Sequence, residues 1–69
     1  MKSYQITVQG RDSEDGCFVA VLLVIDQDSK TPTWYNSGIV HRDPEPEKAL
    51  LWVHEQAIER LPDYAEQVR

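Results

Sequence analysis

Sixty-nine residues leave room for one small domain, because a chain this short buries only about 60% of the surface it exposes when unfolded, and that excludes most enzyme architectures. Hydrophobic residues at 41% and charged residues at 28% match ordinary globular usage and exclude a disordered tail. Seven Lys plus Arg against twelve Asp plus Glu give a formal charge of -5, which repels nucleic-acid phosphate and anionic lipid, so basic proteins or nucleoprotein complexes are the expected partners, without direct contact to nucleic acid or membrane.

Tyr4, Ile6 and Val8 alternate with Gln5, Thr7 and Gln9, the period-two pattern of a strand with one buried and one wet face. Gly10 to Gly16 holds no apolar residue and ends in Asp15-Gly16, a pair suited to the left-handed backbone of a reversal. From Cys17 to Ile25 every residue is apolar, which predicts a central strand covered on both faces. Asp26 to Thr33 reads as a second turn, and Trp34 to His41 as a third strand interrupted at Gly38. Asp43 followed by Pro44, with Glu45 and Glu47 next, predicts an N-cap and a proline in the first helical turn. The helix body is expected from about Pro46 to Leu61, on the spacing of Leu50, Val53, Ala57 and Leu61, and Pro62 blocks its continuation. The tail from Asp63 to Arg69 can add one weak turn. The expected fold is α+β, a single domain over residues 1–69: a three-stranded antiparallel meander with one C-terminal helix on one face.

One helix of about 24 Å covers one side of such a sheet and not the other. On the central strand Phe18, Ala20, Leu22 and Val24 point one way and Val19, Val21, Leu23 and Ile25 the other, so an apolar stripe is expected outside the core, suited to a homodimer or to a docked partner. Trp52 lies some 200° from Leu50 on the helical wheel, beside Lys48, Gln56 and Glu59. It is expected to face outward as a binding anchor, with Trp34 and Tyr35 as further aromatic contacts. In an up-down-up meander the loop after strand one and the segment after strand three meet at one end. Asp12, Glu14 and Asp15 then join Asp43, Glu45 and Glu47 in an acidic rim that Arg11, Arg42 and Lys48 only partly offset, able to steer the domain onto a basic surface.

Chemistry is sparse. Cys17 is the one cysteine, unable to close an internal disulfide and expected as a small buried hydrophobe. His41 and His54 lack zinc-ligand spacing, and Asp12 to Gly16 and Asp26 to Asp28 lack the spaced ligands and distal Glu of a calcium loop. No metal, cofactor or catalytic residue is assigned, and no enzyme activity is expected. With no signal-peptide apolar region before the first strand, a cytoplasmic location is expected, provided that no leader has been removed.

The run Glu14-Asp15-Gly16-Cys17-Phe18-Val19-Ala20, with Glu47-Lys48-Ala49-Leu50 and Glu55-Gln56-Ala57-Ile58 later, resembles the HicB-type antitoxin fold. That resemblance implies a dimerising protein that sequesters a small basic ribonuclease toxin. The chain has no proline-glycine segment after strand two and no strand after the helix, which leaves a repressor role out of the expectation. The β-β-β-α order also resembles the C-terminal part of a double-stranded RNA-binding domain, but Pro44-Glu45-Pro46-Glu47-Lys48 stands where lysines would grip phosphate, and the reversed charge argues against RNA. The expected function is that of an acidic inhibitor or antitoxin-like module occluding the site of a basic partner. A phage-encoded inhibitor of a host defence nuclease, anti-CRISPR-like, and a purely structural homodimer subunit are the alternatives.

Overall fold

The structure, a computed structural model, describes residues 2–10 and 14–68. Strands β1 (Lys2–Gln9), β2 (Phe18–Asp26) and β3 (Tyr35–Asp43) are followed by helices α1 (Pro46–Arg60) and α2 (Pro62–Gln67). The strands form one antiparallel sheet in the order β1-β2-β3, with the apolar β2 in the middle. This is the α+β, β-β-β-α architecture expected from the pattern, with the tail forming a six-residue second helix.

At the first reversal Gly16 takes φ 70°, a left-handed conformation that costs glycine nothing, and the Asp15 carboxylate accepts the Cys17 N–H at 2.9 Å. At the second, Asp26 accepts bonds from the N–H groups of Asp28 (3.0 Å, to its carboxylate) and Ser29 (3.3 Å, to its carbonyl). β3 carries a bulge: Val21 pairs with Val40 but Leu23 with Asn36, so residues 37–39 stand against Leu22 alone. Two extra residues preserve the alternation of faces, and Ile39 therefore reaches the core beside Leu22. Side chains hold the bulge. Ser37 Oγ donates to the Leu22 carbonyl at 2.7 Å, Asn36 Oδ1 accepts the Gly38 N–H at 2.7 Å, and Gly38 sits at φ 94°.

The helix body begins at Pro46 as expected, but its cap is not Asp43. Glu45 is the N-cap and Pro46 the first-turn proline, whereas Asp43 is still paired with Phe18 in the sheet and its carboxylate accepts the Glu45 N–H at 2.8 Å. A helix begun at Pro44 would have to carry Glu45 through the α region just before Pro46, where the proline ring disfavours it. α1 then ends at Leu61, whose N–H reaches the Ala57 carbonyl at 2.8 Å.

The core comprises Ala20, Leu22, Ile39, Ala49, Val53, Ala57 and Tyr64, with Tyr4, Ile6, Val8 and Leu61 packed against it. Leu50, expected in that core, is instead exposed. Positions 49, 53 and 57 form one row at four-residue spacing, and two alanines flanking Val53 let α1 settle against the sheet, which rotates Leu50 outward.

The β2 residues packed into the helix-side cluster, Ala20 and Leu22, lie on one face. The opposite face carries Ser3, Gln5, Thr7 and Gln9 from β1, Val19, Val21, Leu23 and Ile25 from β2, and Asn36, Val40 and Arg42 from β3. Trp34 immediately precedes β3, next to the Tyr35–Val24 pair. Val21 is buried among its neighbours, while Val19, Leu23 and Ile25 are half-buried and Val40 and Trp34 exposed. The molecule measures 38 × 26 × 15 Å, and its least dimension is the depth of one sheet plus one helix layer.

Candidate protein-binding site

The strand–helix junction holds Trp52, Glu45 and Glu47 of the predicted site residues. His41 and Asp43 share the helix-side face with Ile39, and α1 returns over them. Trp52 thereby stacks on His41, with ring centroids 4.4 Å apart and planes 16° from parallel. Its side chain lies on the flank of Lys48, four residues earlier, as the wheel predicted, but it rests on the sheet edge instead of projecting freely. It stays 36% exposed. Around it, Lys48 Nζ lies 3.2 Å from Glu45 Oε2 and His41 Nε2 lies 4.0 Å from Asp43 Oδ2.

The loop after β1 and the end of β3 meet at this end, joined by Arg42 Nη2 and Asp15 Oδ2 at 2.6 Å. Glu14, Asp15, Asp43, Glu45 and Glu47 here outnumber the cations Arg42 and Lys48. Asp12 and Arg11 lie outside the described residues. The Cys17 N–H donated to Asp15, with Arg42 beside it, holds the Asp15 carboxyl below its usual range. Cys17 is half-buried; desolvation and then the Asp15 charge push its thiol up, away from the reactive thiolate.

Trp34 and Tyr35, both exposed, stand at the far end of β3; Tyr35 pairs with Val24, four residues along β2 from the Ala20 that faces His41, about 13 Å at strand rise. They do not join the Trp52 patch.

Three features escaped the sequence reading. The His41–Trp52 stack was open to detection, since His41 is two residues from Ile39 and so shares its face. Leu50, Leu51, Ile58 and Val68 are exposed on the helices. Tyr64 is buried, its hydroxyl 2.7 Å from His54 Nδ1 and its ring edge-on to Tyr4 at 5.7 Å. An open depression of about 360 Å³, lined by Lys2, Asp63, Glu66 and Gln67, includes no predicted site residue.

Among the described residues no group of three or more His, Cys, Asp or Glu is placed to hold a metal ion, and no helix is long and apolar enough to cross a membrane. No protein-family model matches the chain, and no curated protein or solved structure matches it.

Proposed function

We propose that the chain is a non-enzymatic protein-binding module that neutralises a basic protein or nucleoprotein complex by occluding its site. The observation that carries this reading is the Trp52 ring, held flat on His41 and still 36% exposed, beside a junction where carboxylates outnumber cations. A fixed aromatic ring loses little freedom on binding and is the residue type most enriched at interface hot spots. The surrounding carboxylates steer a cationic surface toward it and raise the association rate. An antitoxin acting on a basic ribonuclease and a phage inhibitor acting on a defence nuclease both work by such steric and electrostatic occlusion.

The test is affinity capture from the native host lysate at low salt, with the chain and its Trp52→Ala variant side by side. The reading expects a basic nuclease or nucleic-acid-binding complex that elutes as salt is raised to about 0.5 M, where exposed charges are screened beyond a few ångströms, and that Trp52→Ala retains poorly. Recovery of the chain alone, or equal retention by Trp52→Ala, overturns it.

A further inference from the structure

The sheet face away from the helices is not used by the Trp52 site, and among the described residues its charge differs from that of the rest of the molecule. Among the described residues of this face only Arg42 is charged, and Asp15 pairs with it. Apart from Asp15, the described acidic residues of a chain with net charge -5 lie in the loops, at the sheet ends and on the helices. A basic partner gains no electrostatic attraction on such a face. A second copy of this acidic chain, in contrast, meets it without like-charge repulsion.

We propose that two copies pack open face to open face, giving a helix–sheet–sheet–helix dimer in which Val19, Val21, Leu23, Ile25 and Val40 of each copy form the centre. Sheets stack face to face at about 10 Å, and interdigitating aliphatic side chains fill the space between them. A two-fold axis makes the contact self-complementary. The size of the face sets the strength. Three strands about 4.8 Å apart and nine residues long present roughly 400 Å². Two copies thus bury about 800 Å² before side-chain relief is counted, less than the roughly 1,200–2,000 Å² of stable complexes. The dimer is therefore a reversible one, not an obligate one.

Sedimentation equilibrium from about 10 μM to about 1 mM tests this. The weight-average mass is expected to climb from 8.0 kDa toward the dimer value, and the climb persists when salt rises to about 0.5 M because no ion pair is involved. Val40→Lys, at an exposed position that leaves the core untouched, is expected to weaken association at least about tenfold by placing unpaired charges at the contact. Asn36→Lys, on the same face, is the second variant should the first lose its far-ultraviolet circular dichroism. Leu51→Lys, on the exposed side of α1, is expected to change nothing. A mass of 8.0 kDa at the highest concentration overturns the proposal. So does dissociation by salt, or loss of the dimer in Leu51→Lys with retention in Val40→Lys.

Discussion

Replacing Tyr64 tests whether α2 belongs to the folded core. Six residues are far too few to hold a helix in water, so α2 persists only through what it docks. Tyr64 supplies most of that: it is 4% exposed, its ring meets Tyr4 and His54 edge-on, and its hydroxyl bonds His54, while Gln67 adds one bond of 3.3 Å to the Tyr4 carbonyl. Truncating a buried aromatic ring to alanine costs about 3–5 kcal/mol. A chain of 69 residues has a stability of about 3–10 kcal/mol at the usual per-residue value, so Tyr64→Ala removes a third of it or more. Tyr64→Phe keeps the ring and loses the hydroxyl bond, about 0.5–1.5 kcal/mol, softened because half-buried His54 can turn to water. At about 4–8 °C per kcal/mol for a domain of this size, thermal melts at neutral pH should place Tyr64→Phe a few degrees below the parent and Tyr64→Ala more than about 12 °C below. A Tyr64→Ala melt within about 2 °C of the parent would show that α2 contributes nothing to the cooperative unit and would refute the argument.

Gly38→Ala meets no atom within 4 Å at its new Cβ, so its cost is backbone strain at φ 94° alone, of the order of 1–2 kcal/mol. Urea unfolding should show a lower midpoint at unchanged slope, and an unchanged midpoint would mean that the bulge relaxes freely. Alkaline pH is a second lever. Burial raises the Tyr64 phenol, and burial with Asp63 raises that of Tyr4, above the ordinary 10.0. The folded chain then binds protons more tightly than the unfolded one, so this stability is whole below about pH 10 and is lost as pH rises through the higher folded values. Tyr64→Phe should flatten part of that loss in urea melts. Asp15, lowered by the Cys17 N–H and Arg42, has the opposite sign: its contribution is present above the ordinary carboxylate range and vanishes as pH falls through the lower folded value, readable as loosening of the β1–β2 hairpin in acid.

How far the sequence carried the fold follows from the range of the interactions. Asp15-Gly16 and the Cys17 to Ile25 run are local signals, and both reversal and central strand stand where they point. Pro44-Glu45-Pro46-Glu47 repeats one helix-start signal twice, and the choice falls on the second proline because the first still follows a residue paired across the sheet. Leu50 was misplaced because helical spacing admits two neighbouring faces. Only the sheet, met across the chain, selects the face with two small alanines over the one with the larger leucine. The bulge at Gly38 was legible as an interruption, but its two-residue size depends on pairing with β2. For the Trp52 stack the two halves were legible separately, the wheel giving the flank of Trp52 and strand alternation the face of His41, but their meeting depends on how α1 returns over the sheet.

The two proposed surfaces lie on opposite sides of a slab 15 Å deep, and this separation can be tested. In a dimer closed on the open faces, both Trp52 patches point outward. One chain should then bind one basic partner with the same intrinsic affinity whether or not it is paired, while a pair meeting a dense layer of partner gains from its second site being held at high effective concentration. Val40→Lys is therefore expected to leave one-to-one affinity in dilute solution unchanged and to shorten residence on the immobilised partner, severalfold or more. Trp52→Ala should lower both and leave the sedimentation behaviour alone. If Val40→Lys lowers the dilute one-to-one affinity as much as Trp52→Ala does, the open face belongs to the partner's footprint, and the division of this molecule into an acidic aromatic side and a neutral self-associating side is wrong.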